Sequence, residues 1–449
     1  MPVDSPATWM IEQEALALLA RLDSVKPFSL LETMLPAAAL SPVAQVAIDR
    51  FLVEEREALR VDVGAFVAWL RGPGRAASAQ AQQRRFVMIR LRFNTTLSHL
   101  DMFCDAISQR SENATGVLLS GLEVAAAEAL SLPGGFYDDP PMICYLDRGP
   151  GAAIRRARTR LPGGRSNPVA MIRVPRERMV GNGIASSLFH EVGHQGAALL
   201  GLVDSVREAL NVRIAHTRTP RERAAWTLWS RWISEIIADF WAIGRVGITS
   251  TLGLLAVVSL PGYFVFRINT DDPHPTPWVR VMLSCTIGQA LFPHPQWARL
   301  AACWQAFYPL HTTNDDVRAV IEDLLATMPE LAGLLAEHRP PSLRGHTLRE
   351  VLRSPGMEAH RLLAILDEWR LEPRRMRDAS PVLVFAVCGQ ARIAGRLGAL
   401  EESRLLTRLI IRWALRSTDD ITALCALRSD ADAPRRVRPL PATASVPAH

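Results

Sequence analysis

Two histidines four residues apart, inside a long apolar segment, constrain this chain more than any other feature. The sequence HEVGH, from His190 to His194, lies within residues 183–202, where most other positions are apolar. A spacing of four residues places both imidazoles on one face of an α-helix, one turn apart, so both can reach a single ion. The sequence therefore predicts a helix in which His190 and His194 are metal ligands.

Glu191 lies beside the ion position that this pair defines. Zinc binds neutral imidazole at about 2.0–2.1 Å, and a catalytic zinc site keeps one of its four positions for water. Because the ion lowers the pKa of that water towards about 7, Glu191 is predicted to take its proton as general base. The alternative is a surface helix with two unrelated histidines. Gly193 argues against it, since glycine inside a helix costs about 1 kcal/mol relative to alanine and so indicates a close approach.

A third ligand is expected further along the chain, because residues 196–201 lack the histidine of the compact HExxHxxGxxH pattern. Glu235 and Asp239 lie four residues apart in an almost entirely apolar stretch. Buried carboxylates are costly without a cation. We therefore predict Glu235 as the third metal ligand and Asp239 as the hydrogen-bond acceptor of a ligand histidine. The alternative is an ion pair of either acid with Arg231 or Arg245.

The start of the helix that carries both acids is predicted from three residues. Thr219 can serve as its N-cap, Pro220 suits the first helical position, and Glu222 can complete a capping box. Glu235 therefore lies well inside the helix.

These motifs resemble those of the gluzincin peptidases. HExGH at His190 and ExxAD at Glu235 are similar to the HtpX and CAAX-prenyl-protease family of zinc endopeptidases, and His274-Pro with Arg280 six residues later matches a third element. The resemblance covers only residues 168–283. It implies that His274 and Arg280 lie over the metal, where they could stabilise an oxyanion or anchor a substrate carbonyl. The alternative for His274 is a histidine in a Pro-rich turn.

Two short apolar segments before the motif are predicted to be strands. They are residues 142–146 and residues 168–174, and the second ends shortly before the motif helix begins. By the same resemblance, residues 168–174 would be the edge strand that pairs with an extended peptide substrate.

The rest of the chain favours a mainly α (α+β) fold, because apolar residues recur at helical spacing on both sides of the motif region. A chain of 449 residues also exceeds the size of a single core. We predict an N-terminal helical unit at 1–132, a zincin-like metallopeptidase core with a small sheet at 133–310, a C-terminal helical unit at 311–428 and a disordered tail at 429–449.

The charge balance argues against a nucleic-acid partner. The chain has 51 Lys and Arg against 45 Asp and Glu, a formal net charge of +6. Its basic residues do not cluster on one element with aromatic residues among them, as nucleic-acid binding requires. The Arg-rich residues 155–160 are interpreted as a solvated loop. A peptide or protein substrate is the expected partner.

The cytoplasm is the expected location. The six cysteines occur singly, without CxxC pairs, which indicates a reducing compartment, and residues 1–10 do not resemble a secretory signal. Residues 246–266 carry no charge over a length that could span a membrane. Because Pro261 and Gly262 interrupt this run, a buried helix followed by a turn is favoured, with membrane contact as the alternative.

The predicted function is peptide-bond hydrolysis with one Zn²⁺ per chain, in which Glu191 acts as base and then as acid towards the leaving amine. By the resemblance the enzyme would be an endopeptidase. Two alternatives stay open: a catalytically inactive pseudo-peptidase that acts as a scaffold, and a membrane-associated zinc protease. Five histidines outside the motifs are interpreted as structural: His216, His294, His311, His338 and His360.

Overall fold

The protein is mainly helical with one small sheet in the computed structural model, as the sequence predicts. The structure describes residues 5–24, 33–148, 151–162, 164–176, 181–269 and 271–432. The strands are β1 (Met142–Asp147), β2 (Ala153–Arg155) and β3 (Ala170–Pro175). The helices of the first half are α1 (Pro6–Ser24), α2 (Pro42–Arg71), α3 (Ala79–Ser108), α4 (Asn113–Leu130), α5 (Asn182–Leu199), α6 (Leu202–Ala215), α7 (Pro220–Val246) and α8 (Ile248–Val258). Those of the second half are α9 (Gly262–Val265), α10 (Pro277–Leu291), α11 (Gln296–Phe307), α12 (Asp315–Glu337), α13 (Leu348–Leu352), α14 (Ala359–Leu371), α15 (Pro373–Asp378), α16 (Pro381–Ile393) and α17 (Ala399–Asp432).

The first three helices pack on one another around a small core of their own. Leu18 of α1 is buried in this core with Leu59 and Phe66 of α2, which are seven residues apart and so lie on one face of that helix. Helices α2 and α3 begin at serine N-caps, where Ser41 and Ser78 each accept a hydrogen bond from a backbone N–H of the first turn at 3.3 Å. Local sequence therefore accounts for the start and the buried face of these helices.

One continuous hydrophobic core extends from α4 to α17, with buried members from Leu119 to Trp413. Helix α7 lies inside it, and every residue from Glu235 to Val246 is buried. The predicted boundaries after residues 132 and 310 both fall within this one core, because α4 packs on α17 and α12 packs on α7 and α10. The division of the chain into units stays a prediction.

The sheet has the order β1-β3-β2, with β1 parallel and β2 antiparallel to the central strand β3. Residues 168–174 do contribute to a strand, but its predicted edge position is wrong. Residues 153–155, which the sequence did not predict to be a strand, pair with Met171–Arg173 and occupy the side of β3 that was predicted to be free. The edge strand next to helix α5 is therefore β2.

The uncharged residues 246–266 form helices and turns. Gly247, with φ of +59°, separates α7 from α8, and the chain breaks again before α9 at Pro261. Helix α8 has 11 residues and rises about 16 Å, against about 30 Å of bilayer hydrocarbon. Within the described residues no helix is long and apolar enough to cross a membrane. The predicted helix followed by a turn is confirmed.

Two further predictions concern the chain end and the cysteines. Helix α17 extends to Asp432 and so includes residues 429–432 of the predicted tail, whereas residues 433–449 lie outside the described residues. The five described cysteines form no disulfide among themselves. A reducing compartment stays a prediction.

Candidate metal centre

Helices α5 and α7 approach each other closely because small residues lie between them. A Cβ atom on Gly193 would lie 2.8 Å from the Cα atom of Ala238, and one on Gly196 would lie 2.2 Å from the ring of Trp241. Gly193 accepts no side chain unless the backbone of α7 moves, and Gly196 accepts none unless the Trp241 ring moves, since both distances are far shorter than a van der Waals contact. The prediction that Gly193 marks a close approach is confirmed.

The side chains of His190, His194 and Glu235 converge across this helix pair. The Nε2 atoms of the two histidines are 3.2 Å apart. Glu235 places Oε2 3.1 Å from Nε2 of His190 and Oε1 3.4 Å from Nε2 of His194. Ligand atoms around a tetrahedral zinc with bonds of about 2.0–2.1 Å lie about 3.3–3.4 Å apart. The group has the dimensions of a coordination shell and could hold a metal ion.

Asp239 orients His190 from the other side of the ring. Its Oδ1 atom lies 2.8 Å from Nδ1 of His190. Because a carboxylate only accepts, the neutral ring keeps its proton on Nδ1 and offers the Nε2 lone pair to the ligand group. This is the contact that the sequence predicted for Asp239.

Arg280 forms a two-point ion pair with Asp239. Its Nε donates to Oδ2 at 2.7 Å and its Nη2 donates to Oδ1 at 2.8 Å. The sequence-based alternative, a pair of Asp239 or Glu235 with Arg231 or Arg245, is wrong. Arg231 lies 3.7 Å from a different acid, in the loop before α10, and Arg245 donates to carbonyl oxygens at the end of α4. The arginine nearest the group is thus one that the resemblance had placed over the metal.

His274 lies at the mouth of the group. Its Nε2 atom is 3.2 Å from Oε2 of Glu235. Asp272 fixes the ring by accepting hydrogen bonds from Nδ1 at 2.8 Å and from the backbone N–H of His274 at 2.9 Å. The side chain is 47% exposed, so it can meet a molecule that enters from solvent. His274 therefore belongs to a turn and also contacts a candidate ligand.

The charges of the group shift the pKa values of its members. Burial lowers the pKa of His190, but the charge and hydrogen bond of Asp239, with the bond to Glu235, raise it to about 9 overall. Burial raises the pKa of Glu235, but hydrogen bonds from His190 and His194 bring it well below its usual range. Burial also raises the pKa of Asp239, but the charge of the Arg280 guanidinium outweighs burial and holds this pKa below its usual range. Metal binding at neutral pH would therefore displace a proton from His190.

A cleft of about 220 Å³ opens at this group. Glu191 is buried and lines it, together with His190, Asp239, His274 and Arg280. The remaining wall comes from the segment before β2, from α5 and from α8: Gly151, Ala152, Ser186, Ser187, Ser250, Leu254 and Val257. A larger cavity of about 500 Å³ between α4 and α17 contains none of these residues. Glu191 is thus positioned to act on a molecule beside the ligand group.

Some parts of the site were not predicted from the sequence. Ser187 precedes Glu191 by one helical turn, so periodicity could have placed it on the same face. Ser250 and the residues before β2 lie in segments that carry no motif.

The predicted capping box at the start of α7 is incomplete. Thr219 accepts a hydrogen bond from the backbone N–H of Glu222 at 3.2 Å, but the Glu222 carboxylate pairs with Arg213 at 2.7 Å.

No family model, curated protein or solved structure matches this chain. The resemblance drawn from the HExGH and ExxAD motifs therefore stays a prediction. Function is inferred from the geometry and chemistry of the site.

Proposed function

We propose that this protein is a zinc-dependent peptidase. The observation that supports this most strongly is the set of separations among His190, His194 and Glu235, which are 3.1, 3.2 and 3.4 Å. Two imidazoles and one carboxylate are a ligand set of catalytic zinc sites in peptidases, whereas magnesium and calcium prefer oxygen ligands alone. Glu191 beside this set supplies the base that hydrolysis needs.

Each residue of the site has a role in this proposal. A bound zinc ion would act as a Lewis acid towards water and the scissile carbonyl. Glu191 would take a proton from the attacking water and pass it to the leaving amine. Asp239 holds His190 in the ligating tautomer, and Arg280 keeps Asp239 ionised. His274 is half-exposed beside Glu235, and its Nδ1–H is held by Asp272. When its ring also carries a proton on Nε2, we expect that N–H to donate a hydrogen bond to the substrate oxygen as negative charge develops.

We expect a peptide substrate to bind along β2. The central strand β3 is paired on both sides, whereas β2 pairs with no second strand in the described residues. Gly151 and Ala152, directly before β2, line the cleft beside the candidate ligands. An extended peptide that adds to this edge would gain backbone hydrogen bonds and pass the ligand group.

A membrane-associated form of the same peptidase is the second candidate. After α8, which lines the cleft, the chain exposes three large apolar side chains, with Leu260 45%, Tyr263 75% and Phe264 47% accessible. Such an apolar tip could enter the surface of a bilayer without spanning it. Flotation of the full chain with lipid vesicles tests this candidate. Recovery of the protein only in the lipid-free fraction would leave the cytoplasm as the proposed location.

The test of the peptidase proposal is the Glu191→Gln variant, because it removes the base and keeps the size of the side chain. We expect cleavage of a peptide library by the zinc-loaded wild type, loss of cleavage with a chelator, and a reduction of about 10²–10⁴-fold in the variant. Zinc content is the control and should be equal in both proteins. Undiminished cleavage by the variant would refute the role of Glu191. A wild type that binds zinc and cleaves nothing would favour the pseudo-peptidase.

A further inference from the structure

One hydroxyl group in the wall of the cleft has no partner in the protein. Ser187 is 4% exposed, and its Oγ atom is buried without a hydrogen bond. Serine in a helix commonly bonds back to a carbonyl one turn earlier, as its neighbour Ser186 does with the Gly183 carbonyl at 3.3 Å. An unpaired buried hydroxyl is unfavourable, so a group that enters the cleft would gain by pairing with it.

The position of Ser187 indicates which residue of a bound peptide it would contact. It precedes Glu191 by four residues on α5, so both lie on the same helix face, and both line the cleft. On the function proposed above, Glu191 delivers a proton to the leaving amine. The residue that contributes this amine must then lie beside Glu191, with its side chain near Ser187.

Helix α8 provides the opposite wall. Ser250, Leu254 and Val257 all line the cleft, and their spacing of four and three residues places them on one helix face. Ser250 is 5% exposed and brings a second hydroxyl to the cleft. The wall thus offers hydroxyl groups at Ser187 and Ser250 and aliphatic side chains at the other two positions.

We propose that Ser187 and Ser250 determine specificity for the residue on the amine side of the scissile bond, and that the subsite takes a neutral carboxamide side chain such as glutamine. A carboxamide both donates and accepts, which suits two hydroxyls that can do the same. Leu254 and Val257 would contact its methylene groups. An acidic side chain would be buried beside the Glu191 carboxylate, and the nearby Arg280 is already paired with Asp239.

The experiment measures peptide binding to the zinc-loaded Glu191→Gln variant, which is chosen so that bound peptide is not consumed. Fluorescent polyalanine peptides carry a single glutamine, methionine or glutamate, which have similar length and differ in hydrogen bonding and charge. We expect the glutamine peptide to bind about 5- to 10-fold more tightly than the methionine peptide, because the free energy of about one hydrogen bond corresponds to that ratio. Adding Ser187→Ala should remove this difference.

Matched variants separate a specific role from a general one. Ser187→Thr keeps the hydroxyl and should keep the preference for glutamine. Ser98→Ala, on α3 and outside the cleft, removes a hydroxyl that already donates to the Asn94 carbonyl at 3.0 Å, so it should leave the ratio of the two dissociation constants unchanged. Ser250→Ala should reduce that ratio in the same direction as Ser187→Ala.

The outcomes distinguish this inference from the peptidase proposal. Equal binding of the glutamine and methionine peptides, or a ratio that Ser187→Ala leaves unchanged, overturns the role of Ser187 even if the wild type cleaves peptides. A glutamine preference that depends on Ser187 supports a carboxamide subsite at Ser187 and Ser250 even if the wild type cleaves none of the peptides. In that case the peptidase proposal fails, and with it the assignment of the subsite to the amine side of a scissile bond.

Discussion

Replacing Asp239 by asparagine tests how the protein prepares His190 for a metal ion. The variant keeps an oxygen near Nδ1 of His190, at 2.8 Å in the wild type, but removes the charge that pairs with Arg280. Loss of such a supporting carboxylate lowers metal affinity by about 10–100-fold, or about 1.4–2.7 kcal/mol.

A second effect of this substitution has the opposite sign. Burial lowers the pKa of His190, but Asp239 and Glu235 raise it to about 9 overall, so at pH 7 the wild type must lose a proton before zinc binds. That competition weakens the apparent affinity of the wild type by about 100-fold at pH 7 and disappears above pH 9. Without the Asp239 charge the pKa of His190 falls, and the variant avoids most of this competition. The loss of affinity in Asp239→Asn should therefore be large at pH 9 and much smaller at pH 7.

The assay is zinc competition with a chelating dye at both pH values. Asp204→Asn is the matched control, because Asp204 is 87% exposed in a surface pair with Arg207 and its loss should change stability by less than about 1 kcal/mol and zinc affinity not at all. Urea unfolding with chelator should also show Asp239→Asn destabilised by up to about 3–5 kcal/mol, since Arg280 is left buried without its counter-charge. Zinc affinity within twofold of the wild type at pH 9 would refute this reasoning.

Two further substitutions test the packing and the mouth of the site. Gly193→Ala should destabilise the protein by about 1–3 kcal/mol in urea unfolding, because the new Cβ would meet the backbone of α7 at 2.8 Å. Gly64→Ala on α2 is the control. No atom lies within 4 Å of a Cβ at that position, so this variant should be more stable than the wild type by about 0.5–1 kcal/mol. Equal effects at the two glycines would contradict the packing argument. His274→Asn should reduce kcat/KM by about 10²-fold and keep zinc content unchanged, because His274 lies outside the three-residue ligand group. Loss of zinc in this variant would make His274 a ligand instead.

The ligand group could be predicted from the sequence because its information is local. A spacing of four residues fixes the relation of His190 to His194 and of Glu235 to Asp239 once each segment is helical. Gly193 predicted that some part of the protein approaches helix α5 closely, and the structure shows that this part is α7.

The edge-strand prediction was wrong, and two other features were not visible in the sequence, because all three depend on contacts between distant segments. The resemblance assigned residues 168–174 to the edge of the sheet, whereas β2, which has only three residues, pairs with β3 on that side. Arg280 was placed over the metal by resemblance, and only the tertiary structure shows its two-point pair with Asp239. The continuity of the core across residues 132 and 310 depends on contacts such as those of α4 with α17, which the periodicity of single helices does not record.

The central claim is tested most directly by the zinc content of the purified full-length chain after dialysis against buffered zinc. We predict one zinc per chain in the wild type, and none in a variant that carries His194→Ala and Glu235→Ala, whose folding is checked by circular dichroism. Absence of stoichiometric zinc in the wild type, or one zinc per chain retained by the folded double variant, would contradict the assignment of His190, His194 and Glu235 as the metal site.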